Sequence, residues 1–155
     1  MEYGSIEREI HIDAAPDVVF DVVSSPEHIR EWWGGAETEV EPRAGATGEL
    51  VWRDASTAEA HVVPITVVDA VPPRLFSFRW THPAGEVAAE GNSLLVTFEL
   101  VPAGEGTVLR LTETGFREMG WEAAVLEHQL GEHSAGWDHY LPRLAPYAER
   151  LVPRP

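Results

Sequence analysis

Between Glu122 and Leu151 large side chains recur at steps of three and four: Leu126, Leu130, His133, Trp137, Leu141, Leu144, Ala148 and Leu151. On a helix of ~3.6 residues per turn they share one face, so the spacing predicts a long C-terminal helix. Its stripe is apolar except at His133. The stripe has to be buried, and the strand-like segments in the middle of the chain are the only surface large enough to take it. Pro142 and Pro146 fall inside this helix, where each removes a hydrogen bond and favours a kink. Pro142 is read as a divide, with Leu141, Leu144, Ala148 and Leu151 as packing positions and Leu130, His133 and Trp137 as the places to look for a ligand.

Ahead of the helix, Ile6, Ile10 and Ile12 alternate in part with Glu7, Glu9 and His11, which suits a strand from Ser5 to Ile12. Asp13 is placed to cap a helix with Pro16 in its first turn and Val18, Val19, Val22 and Val23 on its apolar face. Ser25 and Pro26 start a second short helix, Glu27 to Trp32, which Gly34-Gly35 stops. Short β-rich runs follow, predicted near Thr38 to Val40, Gly48 to Arg53, Ala58 to Val71, Arg74 to Trp80, Ser93 to Pro102 and Gly106 to Thr114. Turns fall at Asp54-Ala55-Ser56 and Ala103-Gly104-Glu105-Gly106, and Pro64 calls for a bulge or an edge. The expectation is one α+β domain spanning residues 1–155, an antiparallel sheet under a long helix.

Composition narrows the partners. The formal net charge of -15 and the scattered Arg residues disfavour nucleic acid and anionic membranes, whose phosphates need clustered positive charge. The chain has no cysteine, which removes disulfides and thiolate chemistry. The acidic, polar start Met1-Glu2-Tyr3-Gly4-Ser5 does not resemble an export signal, so a cytoplasmic protein is expected. No nucleophile elbow, phosphate loop or dinucleotide fingerprint occurs.

The remaining candidate chemistry is aromatic and acid-base. Six tryptophans, Trp32, Trp33, Trp52, Trp80, Trp121 and Trp137, are either core or the flat walls of a pocket for a ring-bearing ligand. His133 interrupts the apolar stripe and needs a partner, either a cavity group or a structural acceptor. A His133→Leu change that raises stability while abolishing ligand binding is the signature of the cavity role. Glu113 alternates with Leu109 and Leu111 and is a candidate acid, base or ligand anchor, with Arg79 and Arg110 as available ion-pair partners. His128 and Glu132 share a helix face but are too few for zinc, and His61, His82 and His139 complete no ligand pattern. No metal or cofactor is expected.

An early Ala15-Pro16, Pro26 followed by Trp32-Trp33, Gly45 and Gly48 before a strand, Pro73-Arg74-Leu75 with Phe78 and Trp80, Gly106-Thr107, Gly115-Phe116 and Gly136-Trp137 together carry a resemblance. They look like the bacterial single-domain relatives of the C-terminal domain of the heat-shock-protein-ninety ATPase activator, in the START-related superfamily that includes polyketide cyclases. The resemblance covers nearly the whole chain and implies a helix-grip fold, a curved sheet gripping the last helix around a cavity open at one end. It places Trp32, Trp33 and Trp137 near that cavity. The candidate ligand-binding set is these three with Trp52, Phe78 and Trp80 from the sheet. Glu113, Phe116, Leu130 and His133 complete it.

The leading expectation is binding of a hydrophobic, ring-containing small molecule, with no catalysis assumed. A cyclase- or aromatase-like enzyme using His133 and Glu113 is the alternative, and it requires both groups within reach of one substrate. A chaperone-regulating module ranks last, because a family name is not a function. A homodimer is compatible with all three.

Overall fold

The computed structural model describes residues 4–53, 59–83 and 85–151. Strand β1 (Ser5–Ile12) buries Ile6 and Ile12 and leaves Glu7 and Glu9 outside. It pairs antiparallel with β6 (Gly106–Thr114), which is joined to β5 (Leu94–Ala103) by a hairpin closing at Ala103 and Gly106. Gly104 takes φ 63 there, the left-handed conformation that a two-residue hairpin favours. Strands β4 (Leu75–Trp80), β3 (Ala60–Val71) and β2 (Thr47–Arg53) complete one antiparallel sheet in the order β1-β6-β5-β4-β3-β2.

Two short helices, α1 (Pro16–Ser24) and α2 (Pro26–Trp32), follow β1 and cover part of the inner face. Phe20 of α1 meets Phe76 edge-on, and Trp32 of α2 meets Phe98 the same way. The Trp32 indole donates to the Val22 carbonyl at 2.7 Å, tying the two helices together. Helix α3 (Ala123–Arg150) lies across the remaining face, with the Trp137 ring against Phe98 and Trp80. Arg8 on β1 reaches Asp138 at 2.8 Å and Ser134 at 3.0 Å, and holds the Asp138 carboxyl below the usual carboxylate range. His28 on α2 meets the Tyr147 hydroxyl at 2.6 Å on the other flank. This is the helix-grip architecture.

Four details depart from the sequence reading. Thr38 to Val40 forms no strand: the Thr38 hydroxyl accepts the Val40 N–H, and this local bond replaces a ladder partner. The Glu37–Val51 bridge pairs with the free edge of β2. Asp13 does not cap α1, whose N-cap is Ala15 with Pro16 opening the helix. The Asp13 N–H instead donates to Glu149 at 2.9 Å. Pro64 makes no bulge and lies within β3, which is not an edge strand; the register shift sits between Val67 and Asp69. The Pro64 carbonyl accepts the Thr81 N–H just past the last β4 pair, so its missing donor faces the point where β4 has ended. Leu151 lies beyond the last helical residue and is 40% exposed, whereas Leu141, Leu144 and Ala148 are buried.

Helix α3 runs as one helix through both Pro142 and Pro146, the positions the sequence placed inside it. The turn expected at Asp54-Ala55-Ser56 lies outside the described residues.

Candidate functional site

The alternation of β6 turns Leu109, Leu111 and Glu113 toward the helix. Glu113 is therefore a carboxylate with 0% exposure in an apolar interior, and its oxygens need donors. Three side chains supply them. Trp80, at the end of β4, donates its indole N–H to Oε2 at 2.7 Å. Trp137 on α3 donates to Oε1 at 2.9 Å. His133, one turn earlier on α3, brings Nδ1 to 3.0 and 3.1 Å from the two oxygens. The His133 ring is fixed edge-on between Trp80 and Phe116, with centroid distances of 5.4 and 5.5 Å.

Neither arginine reaches Glu113. Arg110 points to the opposite face of β6 and pairs with Glu9 at 3.0 Å, while Arg79 reaches Ser93 at 3.4 Å. The carboxylate is paired with a histidine from the helix, so this one cluster joins β4, β6 and α3.

Beside the cluster a cleft of about 400 Å³ opens to the surface. Its walls are Trp33, Trp52, Trp80, Trp137 and Tyr140 with Val63, and its polar groups are His61, Thr81, Glu132 and His133. Trp33 is the hub of these rings, with centroids 5.3 Å from both Trp80 and Trp137 and 5.5 Å from Trp52, and it stacks on Trp32 at 5.1 Å. Gly34 follows at φ 62, and a Cβ there would come within 2.7 Å of the Tyr140 hydroxyl, so glycine lets α2 end against the cleft wall.

Of the ten candidate residues, Trp33, Trp52, Trp80, His133 and Trp137 line the cleft. Trp32, Phe78 and Phe116 are buried behind it and fill the space that a deeper cavity would need. Glu113 is also behind the wall, and Leu130 is half-buried but does not line the cleft. Gly136 and Tyr140 were legible, because they continue the His133 and Trp137 face at steps of three and four. His61 sits opposite Trp52 in the β2–β3 ladder, a register that no local signal gives.

Thr81 was not legible at all. It adopts φ 65, an uncommon conformation for a β-branched residue, and its buried hydroxyl has no partner among the described residues. A larger hollow of about 760 Å³ lies elsewhere, lined by Glu27, Arg30, Glu37, Glu39, Glu49 and Arg53 among others. Its Arg53 is already paired with Glu37 at 2.6 Å, and its lining is mostly charged and polar. The aromatic cleft, walled mainly by rings with few polar groups, is the candidate site.

The sequence matches the family described as Activator of Hsp90 ATPase homolog 1-like protein over residues 13–149. No curated protein matches the chain. Among solved structures, the crystal structure of protein MLL2253 from Mesorhizobium loti is 21% identical, with 96% of this chain and 99% of that chain covered and a TM-score of 0.73. DynU16, titled a putative protein in the dynemicin biosynthetic locus, is 21% identical over 94% of this chain and 47% of its own, with a TM-score of 0.71. The solution structure of the Aha1 dimer from Colwellia psychrerythraea is 16% identical over 94% of this chain and 96% of its own, with a TM-score of 0.70. At these identities the likeness shows the shared fold, and among the described residues no helix is long and apolar enough to cross a membrane. The match over residues 13–149 settles the family: the chain belongs to the activator of Hsp90 ATPase homolog 1-like proteins.

Proposed function

We propose that the protein binds a hydrophobic, ring-containing small molecule in the cleft between the end of β4 and α3. The observation that carries this reading is the cleft wall, four tryptophans and a tyrosine around an open space of about 400 Å³. That volume is within the roughly 300–1,000 Å³ range of small-molecule sites, whose walls are mostly apolar with a few fixed polar groups. Flat rings packed on flat rings bury much area for little lost side-chain freedom. The fold neighbour DynU16, from the dynemicin biosynthetic locus, is compatible with a ring-bearing ligand.

The cyclase-like alternative gains less support. His133 and Glu113 touch each other, but Glu113 is enclosed by its three donors and does not face the cleft. The Colwellia relative is a dimer, and a homodimer is compatible with this reading.

The test is a titration with two- and three-ring aromatic compounds, read by tryptophan fluorescence and by thermal unfolding. Binding should change the emission of Trp33, Trp80 and Trp137 and raise Tm. At a free ligand concentration of 100 times Kd the stabilisation is about 2.7 kcal/mol. An unchanged emission together with an unchanged Tm across the panel would sink the reading.

A further inference from the structure

We propose that the ligand carries a hydroxyl or N–H group that donates a hydrogen bond to Nε2 of His133, and that Glu113 is the positioning residue that keeps this nitrogen an acceptor. The inference rests on the cleft being the ligand site and names the chemistry of what enters it.

The argument starts at the buried face of the imidazole. Indole N–H groups only donate, so Trp80 and Trp137 each take one oxygen of Glu113 as an acceptor. His133 Nδ1 is nearly equidistant from both oxygens, the geometry of one N–H shared between two acceptors. A bare Nδ1 would face two sets of lone pairs. The proton of the neutral ring therefore sits on Nδ1, and Nε2 is left with a lone pair.

Nε2 lies on the other side of the ring, and His133 lines the cleft. Rotation of the ring is blocked by Trp80 and Phe116, which meet it edge-on. The cleft thus presents a fixed acceptor among apolar walls. The Thr81 hydroxyl, buried and without a partner among the described residues, is a second polar group in the same cleft. A purely hydrocarbon ligand would cover the His133 acceptor and leave it unsatisfied, at a cost in binding.

Three probes of one shape separate the possibilities: 2-naphthol, which donates; 2-methoxynaphthalene, which only accepts; and 2-methylnaphthalene, which does neither. Fluorescence titration is expected to show 2-naphthol binding about three- to tenfold tighter than the other two. The preference of 2-naphthol over the other two should vanish in His133→Phe. Nitrogen NMR of the imidazole should show the proton on Nδ1 in the ligand-free protein and its redistribution in Glu113→Gln, a signature that a merely structural role for Glu113 would not produce.

Equal affinity for 2-naphthol and 2-methoxynaphthalene, or a proton found on Nε2, overturns this proposal while leaving the cleft as a ligand site. Failure of all three probes to bind overturns both readings. If Glu113→Gln does not fold, the His133→Phe comparison and the spectrum of the unaltered protein still decide the outcome.

Discussion

Glu113→Ala is expected to destabilise the protein by about 3–5 kcal/mol, measured as the change in free energy of unfolding in urea. Removing the carboxylate strands three donors at once, the Trp80 indole, the Trp137 indole and the His133 ring. Two of those residues are buried, and a buried donor without a partner costs about 1–3 kcal/mol. The void left by the side chain adds to the loss. Glu113→Gln should cost less, about 1–3 kcal/mol, because one oxygen remains while the new amide NH₂ confronts a donor. A loss below about 1 kcal/mol for Glu113→Ala would mean that the three donors find other partners and that the cluster does not hold β4, β6 and α3 together.

The same geometry bears on the two roles left open for His133, a cavity group or a structurally satisfied one. Higher stability in His133→Leu is the signature of a cavity role alone. With Glu113 beneath it, the leucine removes a partner from a fully buried carboxylate and leaves two indoles to solvate the charge. His133→Leu is therefore expected to lower stability by a few kcal/mol, about 1–3, in the same urea experiment. Unchanged stability would show the ring to be a dispensable part of the cluster.

Periodicity made most of the fold legible. The helix stripe and the alternation in β1, β5 and β6 are local patterns that burial enforces, so they predict the elements and the inward face on which Glu113 lies. The site was only half legible. His133 stood out as a break in a pattern, and Glu113 could be placed on a face, but their meeting depends on how α3 crosses the sheet. Arg110 is three residues from Glu113 and Arg79 lies on a nearby strand, but both point to the opposite face of the sheet. The tryptophans could not be sorted into wall and core, because Trp32 and Trp33 are neighbours in the chain and the turn of α2 sends one ring inward and the other to the cleft. Thr81 shows the limit most clearly, since its unusual backbone comes from how β4 ends beside Pro64, not from any local composition.

Trp33→Ala is expected to cost about 3–5 kcal/mol, the range for removing a large buried aromatic side chain. Trp33 is only 4% exposed and is in ring contact with Trp32, Trp52, Phe78, Trp80 and Trp137, so no single neighbour can swing in to replace it. The Trp52 indole should keep its anchor, because it donates to the backbone carbonyl of residue 33 at 2.8 Å and not to the side chain. The void would then open into the cleft instead of closing over.

That distinguishes this site from an ordinary core position. A cavity continuous with an open cleft can be refilled from solution, so a three-ring aromatic compound should recover part of the lost stability in Trp33→Ala. It should also bind the variant more tightly than it binds the unaltered protein. Urea unfolding with and without the compound reads both effects, and stabilisation by ligand scales with the logarithm of its concentration over Kd. Full destabilisation with no recovery by any such compound would mean that the rings around Trp33 collapse on its loss, and that Trp33 is core and not the floor of a binding site.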